Sequence, residues 1–136
     1  LDLEAERRQL DLQGLMAVHR GKTGALIRSA LVLGGIAAGG SAAQVEALRR
    51  FGEEIGLAFQ VADDVLDATG TSEALGKTAG RDAELAKSTY VGLLGVEGAR
   101  EAAARHQAFA IAALADAGLP TESLGALARY IVSRAS

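Results

Sequence analysis

Residues 41–70 read SAAQVEALRRFGEEIGLAFQVADDVLDATG. Ser41 is followed three residues later by Gln44, the pattern of a capping box at the start of a helix. Small and apolar residues then recur at steps of three and four, which places them on one face of a helix. These residues are Val45, Leu48, Gly52, Ile55, Phe59, Ala62 and Leu66. The pattern predicts a helix over residues 42–68, closed by Gly70.

The composition of the whole chain also favours helices. The 136 residues suit one domain of ordinary size or a large piece of one. Apolar residues make up 49% and charged residues 23%, so the chain can bury a core. The sequence contains 29 Ala, one Pro and only 4% aromatic residues. Because Ala is the best helix former and Pro the worst, we expect an all-α fold with about six helices, an aliphatic core and no sheet.

Glycine-rich turns divide the remaining sequence into helical blocks. The segment 22–38 is almost continuously apolar, which predicts a buried helix that follows Gly21 and stops at Gly39. A loop is expected at 69–81. The other helical patterns lie at residues 2–20 and 82–86, again from Thr89, and at 96–117 and 122–134.

Several protein classes are disfavoured by what the chain lacks. It has no Cys, which excludes a disulfide scaffold and a thiolate metal site. A net charge of −3 argues against generic binding of nucleic acid. The longest apolar run, residues 30–40, is too short to cross a membrane, and no export signal is recognisable. We therefore expect a cytoplasmic protein. Because the sequence begins with Leu1 rather than Met, we also expect further residues upstream.

Four polar side chains of the helix at 42–68 fall on one stripe. Gln60, Asp63, Asp64 and Asp67 lie within roughly 100° of arc on a helix. Three carboxylates repel one another there, and apolar residues flank them, so we expect a cation between them. Oxygen ligands without His or Cys favour Mg²⁺, which commonly bridges carboxylates to substrate phosphates. The alternative is a solvated acidic face at a helix end.

Lysine is rare in this chain and flanks the acidic stripe. Three of the 14 basic residues are Lys, namely Lys22, Lys77 and Lys87. Lys22 is placed at an expected helix start, where free N–H groups attract anions. An ammonium group is a compact charge suited to phosphate, although a single Lys is more often a surface residue. Together with the acids, and without an obvious nucleophile, the lysines indicate a site for a diphosphate.

Five segments in the correct order resemble the trans-prenyltransferases, the polyprenyl synthetase family of farnesyl and geranylgeranyl diphosphate synthases. They are DLEAE at 2–6, HRGKTGALIRSA at 19–30, GLAFQVADDVLD at 56–67, LGKTAGRDAELAKSTYVGLLG at 75–95 and, as in bacterial farnesyl diphosphate synthases, LARYIVSRAS at 127–136. The resemblance covers essentially the whole chain. It implies the C-terminal portion of the isoprenoid synthase helical bundle and a homodimer.

The resemblance also implies an enzyme activity. Members of the family carry out Mg²⁺-dependent prenyl transfer, the head-to-tail condensation of an allylic diphosphate with isopentenyl diphosphate. The expected product is a short-chain prenyl diphosphate, farnesyl or geranylgeranyl. Asp63, Asp64 and Asp67 match the second aspartate-rich motif, with Asp63 as the expected direct ligand of the metal. Lys22 and Lys77 match residues that contact the allylic diphosphate.

Other positions receive their roles from the same resemblance. Thr23 and Gln60 match residues whose oxygen dipoles stabilise the allylic cation, and Phe59 matches a position near the homoallylic substrate. Lys87 matches a basic residue that supports the substrate site. The candidate catalytic residues are therefore Lys22, Thr23, Gln60 and Lys77.

One large part of the family pattern has no match in this sequence. The first aspartate-rich motif and the upstream basic residues that bind the homoallylic diphosphate are absent. We therefore expect residues 1–136 to be a partial polyprenyl synthetase domain, the C-terminal half of a longer chain, and to be inactive alone. The alternatives are a non-catalytic Mg²⁺–diphosphate-binding module and a regulatory partner subunit of a prenyl synthase, although the retained acids disfavour the subunit.

Overall fold

Four helices make up the part of the chain that is described. The structure, a computed structural model, describes residues 3–70 and 90–134. Helix α1 spans Leu3–Ala37, α2 spans Ala42–Thr69, α3 spans Tyr90–Asp116 and α4 spans Glu122–Ser133. No strand occurs within the described ranges, which agrees with the all-α prediction. No helix in these ranges has the length and apolar character needed to cross a membrane.

A tight turn and a capping box join the first two helices. The turn passes through Gly39, whose φ of 77° is a conformation that side chains disfavour, and Gly40 donates a backbone hydrogen bond to Gly35 O at 2.9 Å. Helix α2 then begins as expected: Ser41 Oγ accepts from Gln44 N at 3.1 Å, and Gln44 Oε1 accepts from Ser41 N at 2.9 Å. The sequence prediction for this helix start is confirmed.

The expected count of about six helices is not matched by the four described ones. The segments 2–20 and 22–38 form one continuous helix, α1. Gly21 does not break it, because a helical Gly costs only about 1 kcal/mol and both flanks favour the helix. Helix α3 begins at Tyr90 and kinks at Gly95, with φ 75° and ψ 170°, directly before the start predicted at residue 96. The helix expected at 82–86 and residues 71–81 of the expected loop lie outside the described residues.

Helix α2 is the centre of the fold and packs against the other three helices. Two clusters of buried side chains form the core around it. The first contains Val61, Ala62, Val65, Ala99, Ala102 and Ala103, and the second contains Phe51, Ile55, Ala110, Leu114, Ala128 and Ile131. Because Ala is small, the backbones of α2 and α3 can approach closely. The core is aliphatic as expected, apart from Phe51, which is fully buried.

The buried surface of α2 is wider than the single face expected from the sequence. Ile55 and Ala62 are buried as expected, but Phe51, Val61 and Val65 are each 0% exposed and lie outside the expected face. Helix α2 has neighbours on more than one side, so a single stripe underestimates the surface that it buries.

Helix α1 is less buried than its apolar sequence suggested. Ile27 and Leu31 pack against the second core cluster. In contrast, Leu26, Leu33 and Ile36 are 70%, 66% and 59% exposed. The described residues therefore cover only one side of α1, and the expectation of a buried helix over 22–38 is not met within them.

Candidate functional site

Glycines let α1 and α2 cross closely beside the candidate site. A Cβ atom placed on Gly56 would lie 3.3 Å from Gly24 Cα, and one placed on Gly52 would lie 2.8 Å from Arg28 Cα. A Cβ atom on Gly24 would lie 4.0 Å from Gln60 Nε2. The crossing therefore places the segment that carries Lys22 and Thr23 next to Gln60. The signal for this crossing in the sequence is the four-residue spacing of Gly52 and Gly56.

Lys22 and Thr23 directly precede Gly24 on α1. Lys22 is exposed, and Thr23 and Gln60 are partly buried. The expectation that Lys22 stands at a helix start is wrong, because α1 begins at Leu3. The backbone N–H groups around Lys22 lie in the helix interior rather than in its first turn, so they are not free for an anion. Only the ammonium group of Lys22 remains as an anion-binding feature.

A cleft of about 350 Å³ lies between α1 and α2 at this crossing. Its walls include Gly24, Arg28, Glu53, Glu54 and Gln60. Arg28 and Glu53 form an ion pair across the two helices, with Nη1 and Oε1 3.6 Å apart. The cleft therefore has Gln60 and a set of paired charges in its walls.

Several acidic residues of α2 near this cleft have basic partners. Arg49 pairs with Glu46 and Glu53 on the same helix. The hydrogen bond from Arg49 holds the pKa of Glu46 below its ordinary value, and the same bond raises the pKa of Arg49. On the other side, His106 Nδ1 of α3 lies 2.7 Å from Glu54 Oε2. The contact between His106 and Glu54 joins α3 to α2, whereas the pairs of Arg49 lie within α2.

The three aspartates lie near the C-terminal end of α2 but in different surroundings. The side chain of Asp63 is 35% exposed, Asp67 is partly exposed, and Asp64 is only 2% exposed. Within the described residues, no group of three or more acidic, His or Cys side chains is arranged to hold a metal ion by itself. A metal held by the described aspartates would therefore need further oxygen ligands, such as those of water or a substrate, which is the usual condition of Mg²⁺.

Arg134 joins the end of α4 to two of the predicted site residues. Its Nη2 donates to Asp63 Oδ1 at 3.1 Å, and its guanidinium carbon lies 4.9 Å from the centre of the Phe59 ring. Arg134 also belongs to the wall of an apolar cleft of about 310 Å³, which Phe59 and Tyr130 line as well. The sequence analysis missed Arg134, because nothing local distinguishes it from the other arginines.

The predicted site residues are thus brought together only in part. The crossing of α1 and α2 brings Gln60 beside Gly24, which Lys22 and Thr23 directly precede in the sequence, and Arg134 connects Phe59 with Asp63. Lys77 and Lys87 lie outside the described residues.

Comparison with known proteins decides the family. Residues 1–116 match the family model described as polyprenyl synthetase. The chain belongs to the polyprenyl synthetase family. The resemblance found in the sequence motifs is therefore confirmed.

Individual relatives agree with this assignment. The chain is 46% identical to the farnesyl diphosphate synthase of Escherichia coli strain K12, over 98% of this chain and 46% of that protein. It is 42% identical to the farnesyl diphosphate synthase of Haemophilus influenzae, over 100% of this chain and 46% of that protein. It is 54% identical to a chloroplastic geranylgeranyl pyrophosphate synthase of Capsicum annuum, over 70% of this chain and 26% of that protein. The chain spans slightly less than half the length of the bacterial relatives.

Proposed function

We propose that the protein carrying this chain is a Mg²⁺-dependent prenyltransferase. It condenses an allylic diphosphate head to tail with isopentenyl diphosphate and releases a short-chain prenyl diphosphate, farnesyl or geranylgeranyl. The observation that carries the proposal is the crossing of α1 and α2, which brings Gln60 beside Gly24, the residue that follows Lys22 and Thr23 in the sequence. Asp63 lies about one turn further along α2 from Gln60.

The donor set of the aspartates fits Mg²⁺. Asp63, Asp64 and Asp67 offer only carboxylate oxygens, and Asp63 and Asp67 are partly accessible. We assign Asp63 as the direct ligand because its carboxylate is more accessible than that of Asp64. When bound, the metal would neutralise charge on the leaving diphosphate.

Residues of this chain would then assist each bond change. The C–O bond of the allylic diphosphate breaks, and its electron pair leaves with the diphosphate, to which the ammonium groups of Lys22 and Lys77 bind. The oxygens of Thr23 and Gln60 stabilise the positive charge left on the allylic carbon.

The second half of the reaction forms the new bond. The double bond of isopentenyl diphosphate attacks the allylic cation, and the released diphosphate accepts the lost proton. We place Phe59 beside this second substrate and Lys87 in support of the diphosphate site. Because Thr23 and Gln60 are partly buried, the cation forms where access of water is reduced.

We further propose that residues 1–136 are the C-terminal half of a polyprenyl synthetase domain in a cytoplasmic homodimer. The charge of the leaving diphosphate must be neutralised from two sides of the site, and one of them is supplied by the first aspartate-rich motif, which has no match in this sequence. The half-domain alone would therefore not transfer a prenyl group.

The substitution Asp63→Asn in the full-length protein tests the proposed function. We expect turnover to fall by about 100-fold or more, because removing one strong electrostatic contributor to a transition state has that effect. The measurement is incorporation of radiolabelled isopentenyl diphosphate into a longer prenyl diphosphate. Asp116→Asn is the matched control, since Asp116 is exposed at the far end of α3 and should keep full turnover.

Two results would contradict the proposal. If folded Asp63→Asn turned over at nearly the wild-type rate, Asp63 would have no essential role in the reaction. A folded wild-type protein that binds Mn²⁺ and pyrophosphate but forms no product would instead support the alternative of a non-catalytic binding module.

A further inference from the structure

Arg134 is held at the candidate metal site by two contacts. Its guanidinium donates to Asp63 Oδ1 at 3.1 Å and lies over the Phe59 ring at 4.9 Å. The side chains of Arg134 and Asp63 are only 28% and 35% exposed. Arg134 Nε is buried and has no hydrogen-bond partner within the described residues. The contacts to Asp63 and Phe59 therefore account for the position of the guanidinium group.

The contact with Asp63 places a fixed positive charge on the carboxylate that we assign to the metal. A cation within hydrogen-bond distance reduces the attraction of that carboxylate for a second cation. The same contact relieves the repulsion among three carboxylates on one stripe of α2 when no metal is bound. Both effects favour the metal-free site, so Arg134 and a metal ion compete for Asp63.

We propose that Arg134 is a positioning residue that occupies Asp63 in the metal-free site and yields this carboxylate when a divalent cation binds. The inference rests on the proposed function, in which Asp63 is a metal ligand. The stack on Phe59 keeps the guanidinium group nearby after release, because that contact does not use the carboxylate. Arg134 thereby sets the metal affinity of the site through its charge.

The proposal predicts that removing the charge of Arg134 increases the metal affinity of the site. Loss of a merely structural contact would weaken metal binding, whereas loss of a competing charge strengthens it. In the full-length protein, Arg134→Gln should bind Mn²⁺ up to about fivefold more tightly than the wild type, the scale of a partly exposed ion pair. Arg134→Met should do the same while it retains an apolar stem over Phe59.

The measurement is an electron paramagnetic resonance titration of free Mn²⁺ in the presence of inorganic pyrophosphate. Arg134→Lys keeps the charge and should bind as the wild type does. Arg129→Gln is the matched control, because Arg129 is an exposed arginine of α4 close in sequence to Arg134. In an Asp63→Asn background, Arg134→Gln should have no effect on affinity.

The outcomes separate this inference from the proposed function. Suppose that folded Arg134→Gln and Arg134→Met bind Mn²⁺ equally to or more weakly than the wild type, while Asp63→Asn binds it more weakly. This result would overturn the competition between Arg134 and the metal and would leave the metal site intact. Wild-type binding by Asp63→Asn would overturn both, because Asp63 would then not be a ligand.

Discussion

The substitution Gly52→Ala should destabilise the protein although Ala is the better helix former. A Cβ atom at position 52 would lie 2.8 Å from Arg28 Cα, 3.1 Å from Leu31 Cδ1 and 3.3 Å from Arg28 Cβ. The first of these contacts is with backbone, which cannot move away without displacing α1. Because α1 meets α2 at this point, the added methyl group must push the two helices apart.

The expected magnitude is a balance of two terms. Overpacking at a close helix crossing costs about 1–3 kcal/mol, and the backbone contact places Gly52 towards the upper end. Replacing Gly by Ala inside a helix raises the free energy of unfolding by about 1 kcal/mol. We therefore expect Gly52→Ala to lower the free energy of unfolding by about 2 kcal/mol.

Gly34→Ala provides the matched control on α1. A Cβ atom at Gly34 would meet nothing within 4 Å, so only the gain in helix propensity remains. We expect the free energy of unfolding to rise by about 1 kcal/mol. Urea denaturation of the full-length protein, followed by far-UV circular dichroism, measures both variants. A Gly52→Ala variant as stable as the wild type would refute the close crossing of α1 and α2.

Two further predictions concern the packing and the charges of α2. Ala103→Leu should lower the free energy of unfolding by about 1–3 kcal/mol, because Ala103 is 0% exposed and packs in the core beside α2. Ala104→Leu, at the exposed neighbouring position, should change it little. An Ala103→Leu variant as stable in urea as the wild type would contradict this packing. Arg49→Gln should raise the pKa of Glu46 towards its ordinary value in a carbon-13 NMR titration, because the hydrogen bond from Arg49 is the largest cause of its lowering and the charge of Arg49 adds to it. The lowered pKa of Glu46 stabilises the fold above the ordinary Glu pKa and loses this effect as the pH falls through the lowered value, so the variant should show a shallower loss of stability in acid. An unchanged titration of Glu46 would rule out the pairing.

Local signals made α2 predictable from the sequence. Its start depends on Ser41 and Gln44, which are three residues apart, and its apolar pattern repeats over several turns. The end of α3 was also predictable, since Gly118 adopts the positive φ of 69° that favours glycine. Each of these features is decided by residues that are neighbours in the chain.

The length and exposure of α1 depend on more distant contacts. Gly21 is a weak breaker, and whether it ends a helix is decided by the packing of both flanks. The apolar pattern over 22–38 shows that most faces of α1 could be buried, but not which segment covers each face. In the described residues only the side facing α2 is covered.

At the candidate site, too, local sequence signals do not determine the surroundings of individual residues. Helical spacing placed Asp63 and Asp64 on one stripe, but it could not rank them, because a step of about 100° separates neighbouring residues. In the fold, the side chain of Asp63 is 35% exposed, whereas its neighbour Asp64 is only 2% exposed. The partner that distinguishes Asp63 further is Arg134, which is 71 residues away in the sequence. Which aspartate is accessible therefore follows from where α3 and α4 pack on α2, and this is why the tests of the proposed function concentrate on Asp63 rather than Asp64.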